Sequence, residues 1–235
     1  MLKKSILTLF CVLSFAFSQD YITLKDKIET KNTLIEVFSY KCIHCYNHQR
    51  FGTLEALREK IPDLSYEIYP ISIADAKFGT LLNELFAYAI FMDRKNQKDA
   101  SHKDSLAHHL AQAYFTQYFL INKKGQVVAT KDFENEKSFL QNGLSVLKIS
   151  EKEFKDFIQT KEAKELLKRF EWANGVAKNY GTPAFVINGT YQIKPEAIDS
   201  FESLLKIIEE LKNKWGSAYS IASYFSSQIR YLWRF

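Results

Sequence analysis

The sequence predicts an α/β protein in which a helical segment interrupts one β-sheet. Apolar stretches typical of strands stand on both sides of residues 77–179, and this middle segment has helical periodicity instead. The predicted order is β-α-β, then helices, then β-β-α, so the two groups of strands would join into one sheet. The chain has 235 residues and is 46% hydrophobic, which is enough to bury such a core in one or two domains.

The first predicted elements form the β-α-β unit. Residues 34–38 (LIEVF) are apolar almost throughout and predict a buried strand. A helix is expected from about Cys42 to Lys60, ended by Pro62, and residues 64–71 (LSYEIYPI) predict a second strand. The apolar face of this helix is expected to consist of Phe51, Leu54, Leu57 and Ile61.

The middle segment is expected to consist of helices alone. Its clearest helical stretches are residues 79–93 (GTLLNELFAYAIFMD) and 105–121 (SLAHHLAQAYFTQYFLI). A capping box at Ser150 and Glu153 opens a further helix, and residues 161–179 form a long amphipathic one. Strands then return at residues 184–187 and 190–193, on both sides of a two-residue Asn188–Gly189 hairpin turn, and a last helix covers about 200–214.

The charge of the chain argues against nucleic acid as a partner. Its 32 basic and 27 acidic residues leave a formal net charge of +5. This excess is spread along the chain, whereas nucleic-acid-binding proteins concentrate basic residues in blocks or patches.

The N-terminus has the layout of a cleaved secretory signal. Lys3 and Lys4 precede the apolar run SILTLFCVLSFAF, and residues 16–18 (AFS) have the small-x-small pattern of a cleavage site. The run is short for a membrane span, which needs about 20 apolar residues. We therefore expect a signal peptide over residues 1–18, which would remove Cys11 and leave only Cys42 and Cys45.

The motif SYKCIHCYNH, residues 39–48, raises the question of what these two cysteines do. Covalent haem attachment needs a histidine directly after the second cysteine, where this chain has Tyr46. A structural zinc site needs four ligands, and only His44 and His48 are near. A disulfide that closes so short a loop stabilises a fold little. The pair is therefore expected to be chemically active.

A redox-active dithiol explains the motif best. At the strand-to-helix turn, Cys42 would face free backbone N–H groups and the positive end of the helix dipole, which favour its thiolate. Cys45, one turn further in, would be more buried and act as the resolving thiol. His44 would add to the stabilisation of the Cys42 thiolate. A Cys-x-x-Cys motif next to a β-α-β unit is a thioredoxin-like signature.

A second motif, YGTPAFVINGTYQI at residues 180–193, identifies the family. Together with residues 35–48 (IEVFSYKCIHCYNH), it makes the chain resemble the DsbA family of thiol:disulfide oxidoreductases, over residues 19–214. The predicted fold is therefore a thioredoxin fold interrupted by an all-helical insertion domain. The expected boundaries are 1–18 for the signal peptide, 19–76 and 166–214 for the two parts of the thioredoxin-like domain, 77–165 for the insertion and 215–235 for a C-terminal extension.

The resemblance also implies roles for individual residues. Pro183 would be cis and lie against the cysteines, and Thr182 would offer backbone hydrogen bonds to a substrate peptide. Glu36, six residues before Cys42, would have a raised pKa because it is buried, and would assist proton transfer at the buried thiol. Ile43, also expected to contact substrate, stands where well-known family members have proline, a difference that affects the reduction potential.

The implied function is the introduction of disulfide bonds into exported, unfolded proteins in the periplasm. The Cys42–Cys45 disulfide would serve as the redox centre of a monomeric enzyme, with no metal or other cofactor. The implied partners are substrates with free cysteines and a DsbB-like membrane quinone reductase.

Other functions stay open at the level of sequence. An isomerase or reductase would use the same chemistry, although only residues 19–33 precede the first predicted strand, whereas DsbC-type isomerases carry an N-terminal dimerisation domain. A thioredoxin-fold chaperone or a soft-metal-binding protein is the alternative from another class. The aromatic extension, residues 215–235, is expected to pack on the body, or else to contact a membrane or a partner.

Overall fold

The computed structural model describes residues 19–73 and 77–214. The first half of the chain contains β1 (Tyr21–Thr23), β2 (Thr33–Phe38), α1 (Ile43–Arg50), α2 (Thr53–Lys60), β3 (Ser65–Pro70), α3 (Gly79–Lys95) and α4 (Leu106–Tyr118). The second half contains β4 (Phe119–Ile121), β5 (Val127–Ala129), α5 (Glu136–Leu147), α6 (Glu151–Ile158), α7 (Lys161–Tyr180), β6 (Ala184–Ile187), β7 (Tyr191–Ile193), a 3₁₀ turn (Pro195–Ala197) and α8 (residues 201–214).

The main sheet joins strands from both ends of the chain, as predicted. Its order is β1-β7-β6-β2-β3. The central strand, β2, pairs in parallel with β3 and antiparallel with β6, and all six of its residues are buried. Successive side chains of a strand point to opposite faces of the sheet, so burial of all six residues means that both faces of β2 are covered, which explains its nearly continuous apolar sequence. The predicted fold class, a thioredoxin fold with a helical insertion, is confirmed.

Strand β1 was not predicted. It has three residues and pairs antiparallel with β7, with Tyr21 opposite Ile193. A run of three residues carries no readable periodicity, and its pairing depends on residues about 170 positions away in the sequence. The hairpin between β6 and β7 also differs in detail, because Ile187 pairs with Tyr191 and the loop therefore has three residues instead of two.

The prediction of a single helix from Cys42 to Lys60 is wrong. Two helices, α1 and α2, are separated by Phe51 and Gly52, and Gly52 has a left-handed backbone with φ of 66°. Glycine adopts this conformation without steric cost and is a poor residue for a helix interior. The break turns Phe51 outward, with 73% of its surface exposed, whereas Leu54 and the other predicted apolar positions, Leu57 and Ile61, are buried.

The insertion is mostly helical, but the prediction of helices alone is wrong. Strands β4 and β5 form a two-stranded antiparallel sheet directly after α4, where the helix was expected to continue to residue 121. The turn between them is closed by the Asn122 side chain, which accepts hydrogen bonds from the backbone N–H groups of Lys124 and Gln126. Gly125, with φ of 76°, completes the turn. The predicted boundary at residues 165/166 falls inside α7, and the domain division stays a prediction.

An aromatic cluster connects the insertion to the end of β2. Tyr40 packs edge-to-face against Tyr114 and Phe139, with ring centroids 6.0 and 5.8 Å apart, and its hydroxyl donates to Asp132 at 3.0 Å. Lys41 forms an ion pair with the same carboxylate at 2.8 Å. The segment that leads into Cys42 is thus held by the insertion.

No helix in the described parts of the chain combines the length and the apolar character needed to cross a membrane. The predicted signal peptide and the C-terminal extension lie outside the described residues.

Candidate active site

Cys42 occupies the N-cap of α1, at the carboxyl end of the central strand. Its Sγ accepts a hydrogen bond from the backbone N–H of Cys45 at 3.2 Å. Both cysteines are free thiols in this structure. The unpaired N–H groups of the first helical turn point toward the sulfur, so the local fold favours a negative charge there.

The pKa of Cys42 is lowered from 9.0 to about 6. The largest cause is a hydrogen bond with the Cys45 side chain, and the backbone N–H groups of Cys45 and His44 contribute further. Partial burial opposes these effects. At neutral pH Cys42 is therefore mainly a thiolate, the form that attacks disulfides.

Cys45 has the opposite character. Only 1% of its surface is exposed, and burial raises its pKa well above 9.0, with the negative charges of Cys42 and Glu36 adding to the effect. The two sulfurs therefore divide into an accessible thiolate and a buried thiol. This difference arises from one helical turn, which takes the second cysteine from the helix end into the core.

Thr182 and Pro183 lie next to Cys42, although they are 140 positions away in sequence. Their peptide bond is cis. The Cys42 thiol, when protonated, donates to the backbone carbonyl of Thr182 at 3.1 Å. The antiparallel pairing of β6 with β2 brings this segment to the cysteines, because β6 begins directly after Pro183.

Glu36 lies in the middle of β2 with 5% of its surface exposed. Burial raises its pKa from 4.5 to about 8, and the charges of Cys42 and Glu55 contribute in the same direction. At neutral pH the carboxyl group is mostly protonated. A buried acid with such a pKa can donate a proton to a neighbouring thiolate or accept one from a thiol.

His44 and Ile43 lie on the outside of the site. Both side chains are exposed, Ile43 to 39%, and His44 acts on Cys42 through its backbone N–H. The imidazole of His44 lines an open groove of about 530 Å³ between α1 and the start of α8, which also contains Phe51 and Phe201. The structure thus brings Cys42, Cys45, Glu36, Thr182 and Pro183 together and leaves the side chains of His44 and Ile43 at the rim.

Three polar residues near the cysteines were not expected from the sequence to belong to the site. His48, one helical turn after Cys45, is partly buried, contacts Phe185 edge-to-face at 5.3 Å and lies 3.1 Å from the Thr53 hydroxyl. Nδ1 of His108 lies 3.2 Å from Oε1 of Glu55, behind Cys45. The helical spacing of His48 after Cys45 was readable, but nothing in the sequence indicates that α4 lies against α2.

Comparisons with known proteins point to one group. The thiol:disulfide interchange protein DsbL of Lelliottia amnigena is 29% identical to this chain over 207 residues, which is 87% of this chain and 90% of DsbL. DsbL of Escherichia coli is 27% identical over 216 residues, which is 91% of this chain and 94% of that protein. No protein-family model matches the chain.

Solved structures agree with these relatives. The crystal structure of reduced DsbL has a TM-score of 0.70 at 26% identity, covering 85% of this chain and all of that one. DsbA of Proteus mirabilis has the same fold, with a TM-score of 0.52 at 17% identity over 83% of this chain and 94% of its own. These comparisons agree with the resemblance that the two motifs predicted: the chain is similar to the DsbL thiol:disulfide interchange proteins and shares the fold of DsbA.

Proposed function

We propose that this protein introduces disulfide bonds into exported, unfolded proteins by exchange with its Cys42–Cys45 disulfide. The observation that carries the proposal is the difference between the two sulfurs. A pKa of about 6 makes Cys42 a stable leaving thiolate, which favours the reduced state of the protein and makes its disulfide an oxidant. Cys42, Cys45 and Glu36 are the catalytic residues in this proposal, and His44 supports the Cys42 thiolate through its backbone N–H.

The reaction begins when a substrate thiolate attacks Sγ of Cys42 in the disulfide. A bond forms between the substrate sulfur and Cys42, the Cys42–Cys45 bond breaks, and Cys45 leaves as a buried thiolate. Because the pKa of Cys45 is far above that of Glu36, this thiolate takes the proton of the Glu36 carboxyl group. A second substrate thiolate then attacks the substrate sulfur, and Cys42 leaves as a thiolate while the substrate gains its disulfide.

Substrate binding is proposed at Thr182, Pro183 and Ile43. Thr182 precedes β6 and its backbone carbonyl lies beside the reactive sulfur, where an extended peptide can pair with it. The exposed side chain of Ile43 supplies apolar contact without side-chain specificity. In a structure of the same fold, DsbA of P. mirabilis has a non-covalently bound peptide, PWATCDS.

The proposed cellular context is supported by the sequence. The predicted signal over residues 1–18 supports export, and we propose the periplasm as the place of action for a monomeric enzyme. The redox-active cysteine pair needs no external cofactor. Reoxidation of the dithiol requires a disulfide donor, which we propose to be a DsbB-like membrane quinone reductase.

The test is the equilibrium of the cysteine pair with glutathione, followed by alkylation and separation of the two redox states. We expect a potential closer to the roughly −120 mV of DsbA than to the roughly −270 mV of thioredoxin. Reduced, unfolded ribonuclease should gain disulfides with the wild type and not with the Cys42→Ser variant. A potential near that of thioredoxin, without oxidation of ribonuclease, would identify a reductant instead.

A further inference from the structure

A small polar cavity lies on the inner side of the cysteine pair. Its volume is about 30 Å³, enough for one or two water molecules. Six residues with polar side chains, from three helices and the central strand, line it: Glu36, Cys45, His48, Gln49, Glu55 and His108. Apolar side chains, among them Phe38 and Phe115, complete the wall. The cavity thus connects the two buried groups that exchange a proton, Glu36 and Cys45, with the hydrogen-bonded Glu55–His108 pair nearer the surface.

The contacts of His108 determine its tautomer. Its Nε2 lies 3.4 Å from the side-chain nitrogen of Gln49, and an amide nitrogen can only donate, so Nε2 is the acceptor. The proton of the neutral ring is therefore on Nδ1, which donates to Oε1 of Glu55 at 3.2 Å. Burial lowers the pKa of His108, so the neutral ring predominates at neutral pH. This tautomer can accept a proton at Nε2 and release one at Nδ1.

We propose that Glu55 and His108 are positioning residues that carry protons between solvent and the buried pair Glu36–Cys45, through water in this cavity. The inference rests on the proposed function, because it concerns the same exchange reaction. His108 and Glu55 have 15% and 16% of their side chains exposed, so this hydrogen-bonded pair reaches solvent on one side and the cavity on the other.

The proton balance shows why such a path is needed. When Cys45 leaves as a thiolate it takes the proton of Glu36, and the resulting buried carboxylate must regain a proton before the next cycle. Solvent protonates His108 at Nε2, its Nδ1 proton passes to Glu55, and water carries it on to Glu36. On reoxidation the Cys45 thiol attacks the mixed disulfide of Cys42, and its proton leaves by the reverse route.

Several charged groups face this path. His108 is opposed by Glu55 from α2, while His109 on the same helix and Lys103 before it disfavour its protonated form. Glu36 faces the charges of Cys42 and Glu55. An ionised Glu55 therefore makes Glu36 a better proton acceptor, which couples the two ends of the path.

The experiment follows oxidation of the reduced protein by oxidised glutathione. Rapid quench and alkylation measure the rate of the second step, in which Cys45 attacks the mixed disulfide between Cys42 and glutathione. Loss of a proton carrier is expected to slow this step about ten- to a hundredfold at neutral pH in Glu55→Gln and His108→Gln, within the range of general acid–base effects. The solvent deuterium isotope effect on the step should increase. Glu59→Gln and Gln117→Ala, at exposed positions of the same two helices, serve as controls and should behave as wild type.

Imidazole distinguishes proton transfer from a structural effect. In His108→Ala, added imidazole should restore the rate, and the pH midpoint for Cys42 alkylation should stay as in wild type. The proposal would be overturned if Glu55→Gln and His108→Gln had rates within about twofold of wild type. It would also be overturned if His108→Ala were slow and added imidazole left its rate unchanged. If the wild type exchanged normally with glutathione but failed to oxidise ribonuclease, the proposed function would be contradicted. The variant rates with glutathione would still test the proton path.

Discussion

The buried carboxyl group of Glu36 should make the stability of the protein depend on pH. Its pKa is about 8 in the folded state and near 4.5 when exposed. Because the folded-state value is the higher one, the protonated carboxyl group stabilises the fold fully below about pH 4.5, and this contribution is lost as the pH rises through about 8. A shift of this size corresponds to at most about 5 kcal/mol, at about 1.4 kcal/mol per unit.

The Glu36→Gln variant removes this titration while keeping the size of the side chain. The assay is urea unfolding of the reduced protein and of the variant from pH 5 to pH 9. Contributions of Cys42 and of other groups largely cancel in the difference. We expect the difference in free energy of unfolding, variant minus wild type, to increase by several kcal/mol from pH 5 to pH 9. The increase should be steepest between pH 5 and pH 8.

The slope, and not the absolute difference, is the decisive quantity. An amide in place of a protonated carboxyl group changes the hydrogen bonding in the core by an amount that does not vary with pH. Parallel curves for wild type and variant would refute the conclusion that Glu36 is buried with a raised pKa. Glu59→Gln, at an exposed position, is the control and should follow the wild type throughout.

Three further predictions concern the reactive thiol and the helices. Iodoacetamide should modify Cys42 with a pH midpoint near 6. The Cys45→Ala variant should raise this midpoint, because it removes the hydrogen bond with the Cys45 side chain, the largest cause of the lowered pKa of Cys42. An unchanged midpoint would assign the lowered pKa to the helix end alone. Phe51→Ser should alter the free energy of unfolding by less than about 0.5 kcal/mol, as at other exposed positions, and a loss above about 2 kcal/mol would show that the ring packs in the core. Gly175→Ala, with open space around the added methyl group inside α7, should stabilise the fold by about 0.5–1 kcal/mol. Gly189→Ala should lower the melting temperature markedly, because the added Cβ would clash with the Ile28 carbonyl.

Local sequence patterns were sufficient to predict the reactive centre. The nearly unbroken apolar run of β2 predicted a buried strand, and the position of Cys42 directly after it predicted a sulfur at a helix N-terminus. A charged residue within that run, Glu36, predicted a raised pKa, because burial of a carboxylate is costly whatever surrounds it. These inferences need only neighbours within a few residues.

Short elements and breaks were harder to predict. Gly52 divides α1 from α2, and the sequence around it has helical periodicity on both sides, so one continuous helix was the simpler interpretation. The β4–β5 hairpin follows α4 without an intervening loop, and its first strand continues the apolar pattern of the helix. A glycine at positive φ lies at the break between α1 and α2, Gly52, and another lies in the turn of the β4–β5 hairpin, Gly125.

The sequence by itself thus determined the chemistry: two cysteines one helical turn apart, an acid in the strand before them, and a Thr-Pro pair before a later strand. Only the tertiary structure decided what surrounds them. Pairing of β6 with β2 brings the Thr182 carbonyl to 3.1 Å from Cys42, and packing of α4 against α2 places His108 beside Glu55 behind Cys45. Periodicity records which face of an element is buried but not which partner covers it, and the burial and charge that set the pKa values of Cys45 and Glu36 come from those partners.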